Sequence, residues 1–201
     1  MDDIDRARFY TAQQVEAGLP NYQPQRIVLI SSNIPKAQRL RKAVRDDVLA
    51  TVYDFSSDLG QVLEAVRELL EGVTAGAKAK HIAIVTKGGP GYVYLVRKTP
   101  LTPAKLKRNQ AMLKFWRGLG GQMSKLFPGQ STIHFMESNM GGNKQGEKLL
   151  MDLESVLYAH QVQFSCPLEM AAKGRAMINM YFNPVKHKLW KSARYTKLRL
   201  Y

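Results

Sequence analysis

The sequence predicts an α/β protein with a mainly parallel sheet of about five or six strands and helices on both faces. Short apolar, β-branched runs recur along the chain, which is typical of buried strands. Segments with helical periodicity lie between most of these runs, as in repeated strand–helix–strand units. The 201 residues, of which 45% are hydrophobic, are enough for one folded domain.

The first third of the chain supplies two strands and three helices. Residues 2–17 favour a short helix, and 26–32 (RIVLISS) is a continuous strand. Pro35 suits a first helical turn, so a basic helix is predicted over 35–46. A second strand follows at 50–55. The next helix begins at a capping Ser57 or Asp58 and has an apolar stripe made of Leu59, Val62, Leu63, Val66, Leu69 and Leu70.

The remaining two thirds continue the alternation. Further strands are predicted at 81–86, 92–96, 132–137, 161–165 and 176–182. Thr102 and Pro103 are a cap and a first-turn proline, and they begin a basic helical region over 103–125. Another helix is predicted over 143–160. We therefore divide the chain into an N-terminal helical segment (1–22), an α/β domain (23–183) and a basic, aromatic C-terminal arm (184–201).

Charge is unevenly distributed along the sequence. Residues 1–73 carry nine bases and eleven acids, whereas 74–201 carry 21 bases and five acids, which together give the net charge of +14. The stretch 74–136 has eleven bases and no acid, and 170–201 has eight bases and no acid. This segregation favours a polyanionic partner, either a nucleic acid or an acidic protein chain within a multi-subunit assembly, and an anionic membrane surface is a weaker alternative.

Several classes of protein are disfavoured. The acidic start MDDIDRARFY is not a cleavable secretory signal, and no apolar run reaches the roughly 20 residues of a membrane span. We expect a location in the cytoplasm or within a particle. The single Cys166 permits no internal disulfide and is expected to be a small buried apolar residue. Because the four histidines have no metal-ligand spacing, we expect no metal site, and we expect no cofactor.

Two glycine-rich loops follow predicted strands, at 86–91 and 137–142. Functional groups collect beyond the carboxyl ends of parallel strands, and glycine loops can cradle a phosphate there. Neither loop matches a phosphate-binding fingerprint, however, so plain tight turns are the stronger interpretation.

The segments IVLISSNIPKAQRL, HIAIVTKGGPGYVYL and IHFMESNMGGNKQGEKLL resemble an uncharacterised domain family of large bacterial surface proteins. The resemblance spans about residues 26–170. That family is related in fold to the caspase and gingipain peptidases, so the resemblance implies a caspase-like fold. The family's histidine falls on Lys87, its cysteine on Ser138 and the preceding glycine on Glu137.

These departures affect the expected chemistry. A cysteine peptidase needs a thiolate and an activating imidazole, and neither is present at these positions. We therefore expect a non-catalytic relative of the peptidases. An alternative is a hydrolase in which Lys87 is the base for Ser138, which requires the lysine to be desolvated.

The sequence thus predicts a basic binding module of a larger assembly, with nucleic acid (RNA or DNA) as the first candidate partner. In that hypothesis lysines and arginines contact phosphates, while Phe115 and Trp116 either stack on bases or belong to the core. A structural scaffold that binds acidic proteins is the alternative. The candidate contact residues are Lys105, Lys107, Arg108, Lys114, Arg117, Lys186, Lys188, Lys191, Arg194, Lys197 and Arg199.

Overall fold

A computed structural model describes residues 1–195 of the chain. Its strands are β1 (Gln25–Ser31), β2 (Leu49–Tyr53), β3 (Ala79–Val85), β4 (Gly88–Gly89), β5 (Tyr92–Val96), β6 (Thr99–Leu101), β7 (Ser131–Met136) and β8 (Val162–Ser165). Its α-helices are α1 (Asp3–Ala17), α2 (Ala37–Arg41), α3 (Leu59–Glu71), α4 (Pro103–Arg108), α5 (Gln110–Gly121), α6 (Lys144–Val156), α7 (Ala172–Tyr181) and α8 (Pro184–Ala193). A 3-10 turn, Tyr158–His160, follows α6.

The central sheet has five parallel strands in the order β2-β1-β3-β7-β8, which confirms the predicted fold class. Strands β4, β5 and β6 form a separate antiparallel sheet. Because side chains alternate along a strand, Ile27 and Leu29 face one core while Val28 and Ile30 face another. Within residues 1–195 we find no helix with the length and apolarity that a bilayer span requires.

Helices α3, α5 and α6 cover the first face of the sheet. Asp58 caps α3 in a capping box. Its carboxylate accepts from the Gln61 backbone amide, and the Gln61 side-chain oxygen accepts from the Asp58 backbone amide. The predicted apolar stripe of α3 is packed into this core. At the centre, Trp116 of α5 makes edge contacts with Phe135 of β7 and Phe164 of β8.

Helices α2, α7 and α8 cover the second face. Trp190 of α8 is 1% exposed, and its indole N–H donates to the Pro35 carbonyl at 3.0 Å. Tyr181 of α7 is fully buried, and its hydroxyl hydrogen-bonds His134 Nδ1 at 2.7 Å. The C-terminal arm expected from the sequence therefore begins with a helix that completes this core.

Three predicted elements differ from the structure. Residues 176–182, predicted as a strand, belong to helix α7, because Met177 and Tyr181 are buried four residues apart on one helical face. The single basic helix predicted over 103–125 is two helices that meet at Asn109. The helix predicted over 35–46 is only α2, since Lys36 has a left-handed φ of 53° and Val44 bridges to Phe182.

The small antiparallel sheet lies beyond the carboxyl ends of the parallel strands, whose order reverses between β1 and β3. Open α/β sheets bind ligands at this point, just beyond the carboxyl ends of the strands. Here Thr86 donates its hydroxyl to the Tyr94 carbonyl at 2.6 Å, and Tyr53 donates its own to the Leu95 carbonyl at 2.7 Å. These hydrogen bonds attach the small sheet to the carboxyl ends of β2 and β3.

Candidate functional site

A groove runs beside the β5–β6 hairpin. It consists of two adjoining cavities of about 700 and 660 Å³, with Lys98, Thr99, Asn109 and Ala111 lining both. The start of α3 forms one side of the larger cavity, and the first turns of α5 form the other. The smaller cavity continues along α4.

Five cationic side chains line this groove, and we call them the groove cations. They are Arg97, Lys98, Lys105, Arg108 and Lys114. All five residues are exposed, and within residues 1–195 none of the five has an ion-pair partner. Asp58 is the acid in the lining, and its carboxylate is engaged in capping α3. The groove therefore has the electrostatic character of an anion-binding site.

Local sequence explains how the groove cations come together. The Arg97 amide donates to the Phe55 carbonyl at 2.8 Å, which pins the hairpin turn beside the start of α3. Asn109 has extended backbone between α4 and α5, and its side chain caps α5 by accepting from the Met112 amide at 3.0 Å. This break re-aims the chain, so that Lys105 and Arg108 of α4 and Lys114 of α5 all border the groove.

The wall of the larger cavity is largely apolar. Leu59 and Leu63 of α3 contribute to it, together with Val96 and Phe115. Phe115 and Trp116 are 3% and 0% exposed. Of the two predicted roles for these rings, base stacking or core packing, the structure shows core packing. The groove accordingly combines a cationic rim with an apolar wall, and Phe115, the aromatic residue in its lining, is too buried to stack on a nucleobase.

The predicted basic residues of α4 and α5 divide into two groups. Lys105, Arg108 and Lys114 line the groove, whereas Lys107 lies 3.8 Å from Asp152, an acid also near Lys148. Arg117 lines a different cavity beside α1. Arg97 and Lys98 also line the groove but are not among the contact residues predicted from the sequence. Their position within the acid-free stretch 74–136 is the signal that could have indicated them.

The predicted bases of the C-terminal arm have different environments. Lys186 and Lys188 are exposed on α8. Lys191 forms an ion pair with Glu169, and Arg194 pairs with Glu137 while its guanidinium lies over the Trp190 ring. Lys197 and Arg199 lie outside the described residues. The structure thus uses Lys191 and Arg194 to attach the end of α8 to the domain.

Lys87 and Ser138, the two positions predicted to replace a peptidase's histidine and cysteine, are not in contact in the structure. Ser138 is 1% exposed, and its Oγ lies 3.9 Å from Cys166 Sγ and accepts from the Met140 amide at 3.4 Å. Lys87 is exposed, and among the hydrogen bonds of the described residues none joins it to Ser138. Lys87 therefore lacks the contact with Ser138 that a general base needs.

The loop that holds Ser138 is constrained on both sides. Glu137 and Asn139 have left-handed φ values of 62° and 48°, which non-glycine residues rarely adopt. Arg194 secures the Glu137 carboxylate from the end of α8.

Within residues 1–195, no three His, Cys, Asp or Glu side chains converge as they do around a metal ion.

A family model described as "Domain of unknown function (DUF4347)" matches residues 27–168. The chain belongs to this family. The match covers the parallel sheet, the hairpin and the helices that form the groove.

Curated relatives extend the similarity to the whole chain. The NMDA receptor synaptonuclear signaling and neuronal migration factor of Danio rerio is 33% identical over 204 residues, covering 100% of this chain and 36% of that protein. The Homo sapiens protein of the same name is 33% identical over 201 residues, covering 98% of this chain and 38% of that protein. The chain thus spans less than two fifths of these relatives.

A solved structure, Clostridium acetobutulicum trans-2-enoyl-CoA reductase in complex with NADH, covers 96% of this chain and 71% of that chain. It has 9% sequence identity and a TM-score of 0.32. A likeness this weak carries no argument about fold or function.

Proposed function

We propose that this domain is a non-catalytic module that binds an anionic macromolecule through the groove. The observation that carries the proposal is the set of five groove cations, which are exposed and unpaired within residues 1–195 and converge from the hairpin, α4 and α5. Surfaces that serve only solubility normally mix both signs of charge, whereas the groove has Asp58 alone against five cations.

A nucleic acid is the first candidate partner. Exposed lysines and arginines bind phosphates without reading sequence, and Lys186 and Lys188 provide additional exposed cations on α8. Such binding releases counterions and is therefore strongly dependent on salt. In this candidate the domain holds the phosphate backbone in an assembly located in the cytoplasm or within a particle.

An acidic protein chain is the second candidate, in which the domain is a scaffold subunit. Two observations favour it: the larger cavity has an apolar wall, and Phe115 and Trp116 are buried. The relatives' names describe signalling factors, a role compatible with binding protein chains.

The non-catalytic part of the proposal is supported by the state of Lys87 and Ser138. A caspase-like ancestry remains part of the proposal, and it rests on the sequence resemblance, in which Lys87 and Ser138 take the places of the peptidase histidine and cysteine. Ser138→Ala is expected to leave macromolecule binding unchanged. Any hydrolytic activity that this substitution abolishes would reverse the non-catalytic assignment.

Fluorescence anisotropy with labelled polyanions over a salt series tests the proposed binding. The probes are a single-stranded oligonucleotide and polyglutamate, and the protein is the nuclease-treated full chain. If all five groove cations contact phosphates of a single strand, the slope of log K against log salt is expected to be roughly −3.5. Failure of both probes to bind at low salt would contradict the proposal.

A further inference from the structure

We infer that the groove binds an acidic peptide segment. One aliphatic side chain of this peptide inserts into the larger cavity, and carboxylates on the neighbouring peptide residues contact the groove cations. This inference rests on the proposed function, because it names the class of macromolecule that the groove cations hold. It also assigns separate roles to the two cavities, one as an apolar pocket and the other as a cationic continuation.

The larger cavity provides the apolar pocket. Leu63 of α3 and Phe115 of α5 form part of its wall, and both belong to the main core, so the wall is held by packing on the sheet. Arg97 and Lys98 border the same cavity from the hairpin, and Lys114 borders it from α5. An aliphatic side chain lodged there would have carboxylates on neighbouring residues within reach of these three cations.

The smaller cavity provides the continuation. It shares Lys98 and Ala111 with the larger one and adds Lys105 and Arg108. An extended chain that leaves the apolar pocket therefore passes a second set of cations. Thr99 and Asn109 line both cavities. Because the Asn109 side-chain oxygen caps α5, it is the Asn109 side-chain nitrogen and the Thr99 hydroxyl that are suited to hydrogen bonds with a peptide backbone.

Charge complementarity alone fits nucleic acid and acidic peptide equally, but the wall distinguishes them. A phosphate pressed against this apolar wall loses hydration without a compensating hydrogen bond, which is costly. Single-stranded nucleic acids recover energy by stacking on exposed aromatic rings, and the groove's Phe115 is 3% exposed. An aliphatic side chain, in contrast, gains affinity by leaving water for this wall.

The test compares two labelled acidic dodecapeptides of equal charge, one with a central leucine and one with a central serine, on the full chain at constant salt. The leucine peptide is expected to bind about 10-fold more tightly, because it buries one aliphatic side chain that the serine peptide lacks. Ala111→Trp fills the junction of the two cavities and should remove that difference. Ala176→Trp, at an exposed position on α7, is the matched control and should retain it.

A thymidine dodecanucleotide distinguishes the possible failures. Equal affinity for the two peptides, or a leucine preference that survives Ala111→Trp, would overturn the inference. Binding of the oligonucleotide alone would also overturn it, while leaving the proposed polyanion-binding function intact. If none of the three probes binds, the proposed function and this inference both fail.

Discussion

Three buried or half-buried histidines are expected to make the folded domain sensitive to acid. Burial lowers the pKa values of His81, His134 and His160 to about 4, because each imidazole loses hydration and a neighbouring cation or histidine opposes its charge. His134 lies against the buried Tyr181 hydroxyl on the second face of the sheet. None of the three takes part in the groove, so their titration reports on folding rather than on binding.

Lowering the pH from 7 to 5 is expected to reduce the free energy of unfolding. As the pH drops below 6.5, His134 takes up a proton in the unfolded chain, but in the folded chain it does so only near pH 4. Lowering the pH through this window therefore favours the unfolded state and reduces stability. His134 alone contributes on the order of 2 kcal/mol between pH 7 and pH 5. Urea unfolding of the wild type and of His134→Gln at both pH values measures this, and an equal pH dependence in the two proteins would contradict it.

The pairing of Arg194 with Glu137 gives a second prediction at the residue scale. Both side chains are mostly buried, at 17% and 13% exposure, so Arg194→Ala leaves an unpaired carboxylate and should cost about 2 kcal/mol. Lys191→Ala, which breaks the more exposed pair with Glu169, should cost less. A double-mutant cycle of Arg194→Ala with Glu137→Gln checks the coupling, and additive losses would refute it.

At the scale of elements, α8 belongs to the folded domain. Trp190 is buried, whereas the adjacent Leu189 is 55% exposed. Trp190→Ala is expected to destabilise the protein by about 3–5 kcal/mol, and Leu189→Ala by less than about 1 kcal/mol. Chemical unfolding of the two variants measures the difference. Similar losses would mean that α8 is not packed as described.

The elements show which sequence signals were sufficient. Helix α3 has both a capping box and a complete apolar stripe, and it was predicted closely. Helix α7 has no side-chain cap at Ala171, and its apolar residues fit a strand as well as a helix. The buried positions of α8 are His187 and Trp190, so a count of apolar residues cannot reveal its inward face. Nothing in the sequence around Asn109 indicated a break in the helix, because the hydrogen bond by which its side chain caps α5 is a feature of the folded structure.

At the scale of the molecule, charge segregation in the sequence becomes a groove in the structure. The acid-free stretch 74–136 forms the hairpin, α4 and α5, and so contributes all five groove cations. The sequence could single out Lys105, Arg108 and Lys114 because they share a helical region with other bases. It could not separate them from Lys107 and Arg117, because the Asp152 partner and the second cavity are long-range features.

The most direct test of the central claim compares two pairs of adjacent cations with the same residue types. Arg97→Gln with Lys98→Gln neutralises the hairpin side of the groove, and Arg41→Gln with Lys42→Gln removes equal charge at exposed positions on the other face. For a single-stranded probe, the first variant should reduce the magnitude of the salt slope by roughly 1.4, while the second leaves it near the wild-type value. For polyglutamate, the first variant alone should weaken binding. Equal effects of the two variants on both probes would show that net charge, and not the groove, determines binding.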